Sequence, residues 1–278
     1  MPSEGRTMQG KIAWITGSSR GIGLAIARHL ATLGASVAVH GSSPTSPCAF
    51  GEGTTLEDAA RAIGAETGSP TLAVCGDLTD ECRVRALAGE IRARWGRIDI
   101  LVNCAGGDIG SRGASAPNAG KPVRNEAVFI SLEDLHAVLD RNLLTCILTC
   151  REVAPEMMER RAGRIINIGS IAGLFGHAES AIYATANAAV HEYSRCLAVQ
   201  LRPYDVAVNV VAPGDTVTER FKASRSIDEA MVRSSGTLDR YGWPMEVARA
   251  VAWFASEGCT YVTGQVLRVD GGKQTWPA

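Results

Sequence analysis

The sequence predicts a single α/β domain: a doubly wound, parallel sheet of about seven strands with helices on both faces. Three observations carry this. Short β-branched runs alternate with segments of helical periodicity, a glycine-rich turn joins the first run to the first helix, and long loops follow strand ends, where open α/β sheets bind ligands. A chain of 278 residues is within reach of one such unit, and 46% apolar content with 5% aromatic residues suits a core of Val, Ile, Leu and Ala.

Taken in order, Lys11 to Thr16 reads as the first strand. Ile22, Ile26, Leu30 and Leu33 then repeat on one helical face that ends before Gly34. Ser36 to His40, Thr71 to Cys75 and Ile98 to Val102 are the next three strands. Between the last two, Val84, Leu87, Ile91 and Trp95 recur at helical spacing. Ser131 followed by Asp134 signals a helix start, and that helix is expected to run to about Arg161. Arg164 to Ile168, Val206 to Val211 and Gln265 to Val269 complete the strands, with a helix over Ala181 to Arg202. Three stretches break the rhythm: a Gly/Pro/Ser-rich loop over Ser42 to Thr55, another over Gly106 to Pro122, and a polar one over Gly214 to Gly242. The latter two follow strand carboxyl ends. Residues 1–8 read as a flexible tail before a domain over 9–278.

Bulk properties exclude several roles. A formal net charge of -1 leaves no basic field for a nucleic acid. No apolar run approaches the ~18 residues needed to cross a bilayer, and the first eight residues lack the apolar stretch of a signal peptide. The eight cysteines are scattered, without a C-x-x-C pair or a histidine at ligand spacing, so they are expected to be reduced and core-filling, with no metal site. His29, His40, His136, His177 and His191 form no ligand cluster, and most are expected at the surface or on helices; His177 is a candidate for the pocket wall. From these features a cytoplasmic protein is expected.

Thr16-Gly17-Ser18-Ser19-Arg20-Gly21-Ile22-Gly23 joins the first strand to the first helix. Glycines there let backbone N–H groups approach a pyrophosphate, whose charge the helix N-terminus favours. The spacing is G-x-x-x-G-x-G, not G-x-G-x-x-G, and with it the chain resembles the short-chain dehydrogenases/reductases. Further matches follow in that family's order. Asn103-Cys104-Ala105-Gly106 is similar to its N-N-A-G turn. Asn142 stands at its helix asparagine, and Ser170 and Tyr183 are spaced as its catalytic serine and tyrosine. Pro213-Gly214 with Thr216 and Thr218 resembles its nicotinamide-amide segment, and Val269-Asp270-Gly271-Gly272 its ending. The resemblance implies a Rossmann-type fold and a nicotinamide dinucleotide. The residues it implies in cofactor binding are Gly17, Ser19, Arg20, Gly21, Ile22, Gly23, Asp77, Leu78, Asn103, Ala105, Gly106, Asn187, Pro213, Gly214, Thr216 and Thr218.

NAD-preferring members carry an acid at the end of the second strand. Here His40-Gly41-Ser42-Ser43 has none, and Arg20 is placed to pair with a 2′-phosphate, so NADP(H) is favoured, with NAD(H) the alternative. Asp77 is expected to accept from the adenine amino group, or else to cap its own turn.

Hydride transfer to a carbonyl needs a proton donor at the substrate oxygen and a group to position that oxygen. The resemblance assigns these roles to Tyr183 and Ser170, with Asn142 supporting the ribose and a water chain. It also calls for lysine four residues after the tyrosine, where this chain has Asn187. Position i+4 stays on the same helical face. An amide can hold a ribose but supplies no charge. A cation ~4 Å from the phenol at an effective dielectric of ~20 contributes about 4 kcal/mol, so its loss lowers the ionised fraction up to about a thousandfold. Alcohol oxidation, which needs phenolate, suffers most; carbonyl reduction starts from phenol and suffers less.

Two readings follow. One is a carbonyl reductase weakened by Asn187, acting on a small carbonyl or alcohol substrate. The other is a dinucleotide-binding protein of this fold without redox turnover. The segment Gly169-Ser170-Ile171 lacks a hydrolase nucleophile elbow. Substrate choice is expected in loops 107–125 and 215–242. By analogy with the family, the helices around Leu143 to Arg161 and Ala181 to Arg202 would pair subunits in a homodimer or homotetramer.

Overall fold

The structure, a computed structural model, describes residues 6–276. Its strands are β1 (Ile12–Ile15), β2 (Ser36–Gly41), β3 (Thr71–Cys75), β4 (Ile100–Asn103), β5 (Gly163–Ile168), β6 (Val206–Pro213) and β7 (Val266–Val269). They form a seven-stranded sheet in the order β3-β2-β1-β4-β5-β6-β7, parallel at every pairing. The connections carry α1 (Gly21–Thr32), α2 (Leu56–Thr67), α3 (Glu81–Trp95), α4 (Leu132–Leu139), α5 (Thr145–Arg160), α6 (Ala181–Leu201), the short α7 (Glu219–Ala223) and α8 (Pro244–Ala255). They pack on both faces, as the alternation of elements leads one to expect.

Side chains alternate across each strand and so feed two cores. Ala13 and Ile15 face the layer of α1 and α8 with Ile26, Leu30, Val251 and Phe254, whereas Ile12 and Trp14 face the layer of α3, α5 and α6 with Leu87, Ile91, Val153 and Leu197. The strand order reverses between β1 and β4, and the crevice beyond their carboxyl ends is the natural ligand site of an open sheet.

Three expectations need correction. The helix expected from Ser131 to Arg161 starts as read, with the Ser131 hydroxyl accepting the Asp134 amide at 3.1 Å, but a π-helical turn over Asp140–Leu144 divides it into α4 and α5. Apolar periodicity continues through that turn and conceals it. Of the tail expected over residues 1–8, residues 1–5 lie outside the described residues. The remainder belongs to the domain: Met8 is 1% exposed, and its amide donates to the Leu33 carbonyl at 2.9 Å. Finally, Cys146, Cys150 and Cys259 are buried as core residues, but Cys48, Cys82 and Cys196 are exposed. Helices α2 and α8 lie in segments not assigned above; the Thr55 hydroxyl caps α2 by accepting the Asp58 amide at 3.0 Å.

Candidate active site

A cavity of about 810 Å³ opens beyond the carboxyl ends of the strands, within the ~300–1,000 Å³ usual for cofactor and ligand sites. Loops after β1, β2, β3, β4, β5 and β6 all line it. The Ser42–Thr55 loop therefore follows a strand carboxyl end at this site too, like the other two long loops.

The glycine turn is held by its neighbours. Thr16 Oγ1 accepts the amides of Cys104 and Ala105, each at 3.0 Å, which ties the ends of β1 and β4 together. A Cβ on Gly17 would lie 2.7 Å from Ala105 Cα, and one on Gly23 only 2.3 Å from the Gly17 carbonyl oxygen, so neither position admits a side chain without movement. Ile22 and Gly23 stand in the first turn of α1, where helix geometry leaves N–H groups without an intrahelical acceptor. A phosphate can supply the missing acceptors.

His40 lies on the second strand as read, but its role was not legible in the sequence: it is 2% exposed and braces the turn. Its Nδ1 accepts the Gly17 amide at 3.0 Å and its Nε2 donates to the Gly76 carbonyl at 3.0 Å, an arrangement that specifies the neutral Nε2–H tautomer. Burial, opposed by that carbonyl, lowers its pKa to about 4. Burial also lowers His191, on α6, to about 4. Both groups bind protons more readily in the unfolded chain, so stability is complete above pH ~6.5 and is lost as pH falls towards 4, by up to about 3 kcal/mol for each. We expect a lower Tm at pH 5 than at pH 7. Equal values, or an unchanged difference after His40→Gln and His191→Gln together, would contradict this account.

The π-helical turn positions Asn142. Its Oδ1 accepts the Gly107 amide at 2.8 Å, while its Nδ2 donates to the carbonyls of Gly107 at 3.0 Å and Val138 at 2.7 Å. The turn after β4 is thereby locked against the helix, and no donor of Asn142 is left for a water chain.

Ser170 stands just past β5 and its hydroxyl accepts the Ala172 amide at 3.1 Å, which leaves its proton for the Tyr183 phenol. Ser170 and Tyr183, in the first turn of α6, line the same cavity. Burial raises the Tyr183 pKa; the Ser170 hydroxyl, the Arg220 guanidinium and the Asn187 amide act against that, and the Asp108 carboxylate adds to it. Asn187, 3% exposed, donates to the Tyr183 carbonyl at 2.8 Å, the local back-bond of a polar side chain within a helix.

Arg220 comes from α7, in a loop whose sequence shows no sign of its placement. It donates to the Asp108 carbonyl at 2.7 Å across the cavity. The Asp108 carboxylate in turn accepts the Ser180 hydroxyl and the Asn125 amide, both at 2.7 Å. Glu52 is a further residue missed, and it reaches the glycine turn from the Ser42–Thr55 loop.

Most residues singled out from the sequence line this cavity: Gly17, Ser19, Arg20, Gly21, Ile22 and Gly23 of the glycine turn, Asp77, Leu78, Ala105 and Gly106 after β3 and β4, and Asn142, Ser170, Tyr183 and Asn187 with Pro213, Gly214, Thr216 and Thr218. Asn103 does not join them. Its side chain points under the sheet, donating to Asn167 Oδ1 at 2.9 Å and accepting from Thr149 at 2.7 Å, so its role is to fasten β4 to β5 and α5. Asp77 accepts the amide and hydroxyl of Thr79, each at 2.9 Å, and so caps its own turn at the cavity wall. Thr218 caps α7 by accepting the Phe221 amide at 3.0 Å. His177 lines the cavity, its ring tilted by 39° against Phe175 at 4.1 Å between centroids.

The cavity also holds buried polar atoms with no partner among the described residues: Glu52 Oε1, Asp108 Oδ1, Arg141 Nε and Arg220 Nε. Such atoms are costly unless a ligand satisfies them. With free helix amides at one end and a Ser–Tyr pair at the other, the residues fit a nicotinamide dinucleotide. Among the described residues no helix is long and apolar enough to cross a membrane.

Known proteins resemble this chain in sequence and fold. The family model described as short chain dehydrogenase matches residues 11–229. A cyclohexanol dehydrogenase of a Rhodococcus species is 36% identical over 274 residues, covering 95% of this chain and 96% of its own. A 3-oxoacyl-[acyl-carrier-protein] reductase of Escherichia coli is 34% identical over 264 residues, covering 95% and 97%. A 7 alpha-hydroxysteroid dehydrogenase, solved with NADH and 7-oxo glycochenodeoxycholic acid, superposes with a TM-score of 0.78 at 29% identity, covering 98% and 97%. The chain belongs to the short-chain dehydrogenase/reductase family of NAD(P)-dependent enzymes.

Proposed function

We propose that this protein is a carbonyl reductase: it transfers hydride from a nicotinamide dinucleotide to the ketone of a small substrate, with Ser170 positioning the carbonyl oxygen and Tyr183 donating its proton. One observation carries the direction. Burial raises the Tyr183 pKa and residue 187 is an amide, so the phenol holds its proton at neutral pH. The dinucleotide supplies the hydride. The chain's own part is to hold the carbonyl between two hydroxyls, to keep water from the reacting carbon with the loops at 107–125 and 215–242, and to deliver the phenol proton to the oxygen as it becomes negative. Asn142 keeps the floor of this site rigid through Gly107.

The alternative, a protein that binds dinucleotide without turnover, is favoured by one observation: the side chain at 187 carries no charge, and one of its two amide protons is committed to the Tyr183 carbonyl. Reduced-dinucleotide consumption with a ketone panel between pH 6 and 10 separates the two. We expect reduction to persist across neutral pH and alcohol oxidation to appear only on the alkaline side, because oxidation needs phenolate and the phenol's pKa is raised. Tyr183→Phe should abolish both. Tight dinucleotide binding with no turnover at any pH would leave the alternative standing.

Arg20 lines the cavity as the NADP(H) expectation requires, but Glu52 shares that end of the site. Activity in the cytoplasm as a homodimer or homotetramer is part of this proposal; light scattering that gives a monomer mass would remove the assembly.

A further inference from the structure

The strand end where an acid would be expected to read the adenosine ribose carries none: β2 closes on His40 and Gly41, followed by Ser42 and Ser43. The loop beyond it brings a carboxylate to the cavity that this strand end also lines. Glu52 Oε2 accepts the Gly21 amide at 2.8 Å, directly on the glycine turn. Glu52 Oε1 is buried and has no partner among the described residues.

The loop is folded against the glycine turn. Ser46 Oγ accepts the Ser43 amide at 2.9 Å and donates to the Ser43 carbonyl at 2.8 Å, closing a tight turn. Gly41 lets that turn approach, since a Cβ on it would lie 2.9 Å from Ser46 Oγ. Arg20, the cation the glycine turn would offer to a 2′-phosphate, is engaged by the same loop. It donates to the Ser46 carbonyl at 2.6 Å and lies 5.3 Å from the centre of the Phe50 ring.

A carboxylate oxygen without a donor calls for hydroxyls, and a ribose diol offers two. A 2′-phosphate removes one of those donors and brings like charge against Glu52. We propose that Glu52 is the residue that selects the dinucleotide, accepting from the adenosine ribose hydroxyls and excluding the 2′-phosphate, so that this enzyme prefers NAD(H) to NADP(H). The inference rests on the dinucleotide reading of the cavity. Burial raises the Glu52 carboxyl, while the Gly21 amide, Arg20 and Lys222 favour its ionised form and Glu219 opposes it.

Binding to the full chain tests this without turnover. By fluorescence titration, NADH should bind at least about tenfold more tightly than NADPH, and 5′-AMP should compete better than 2′,5′-ADP, a comparison that needs no variant. Glu52→Gln, which keeps the shape and removes the charge, should narrow the NADH/NADPH ratio by about tenfold. Tighter NADPH binding by the unaltered chain, or a ratio that Glu52→Gln leaves unchanged, overturns the assignment to Glu52. Binding of neither dinucleotide is a different result: it removes the cavity reading, and this inference with it.

Discussion

Asn187→Lys is expected to raise the rate of alcohol oxidation near neutral pH by two to three orders of magnitude, with a much smaller effect on ketone reduction. Residue 187 lies one helical turn from Tyr183 and lines the same cavity. A lysine ammonium there would bring to the phenol a charge that the amide lacks. At ~4 Å and an effective dielectric of ~20 that charge is worth about 4 kcal/mol, close to a thousandfold in the phenolate fraction. Because burial already raises the phenol's pKa, the unaltered enzyme keeps Tyr183 in its proton-donating form and has the more to gain. The measurement is kcat for a secondary alcohol from pH 6 to 10, in which the ascending limb should move to lower pH. An unchanged limb would mean that proton transfer by Tyr183 does not limit oxidation.

Arg220→Met should act in the opposite sense. The Arg220 guanidinium is the nearby cation that lowers the Tyr183 pKa against burial. It is fixed to the same helix start through Asp108 and Ser180, since the Ala184 amide donates to the Ser180 carbonyl at 2.9 Å. Its removal should move the oxidation limb to higher pH and lower oxidation at fixed pH by roughly tenfold, whereas Arg220→Lys, which keeps the charge, should fall between. A purely structural role would lower kcat at every pH alike. In the Asn187→Lys background the cost of Arg220→Met should shrink, because the phenol would then have a second cation. Parallel pH profiles for the Met and Lys variants would contradict the electrostatic role.

What the sequence disclosed is what local rules encode. Gly17, Gly21 and Gly23 are legible because a strand must turn tightly into a helix there, whereas Ser170 and Tyr183 became legible only through the family resemblance, as a pair. Residues brought in by tertiary folding were silent. Glu52 and Arg220 lie in irregular loops with no period to reveal their aim, and His40 looked like an ordinary strand end until Gly17 and Gly76 were seen on its two nitrogens. Asn103 was misread for a related reason: in a parallel strand successive side chains alternate faces, and its own points beneath the sheet towards Asn167.

The π-helical turn at Asp140–Leu144 has a consequence for how this chain can vary. Its hydrogen-bonded ring is one residue longer than those of its flanks, so deletion of a single codon there would leave a continuous α-helix whose flanks keep their faces. Cys150, Val153 and Met157, now wholly buried, would stay so, but residue 142 would lose the offset that aims its amide at Gly107. Loss of one residue here should therefore spare the core and unfasten the turn after β4.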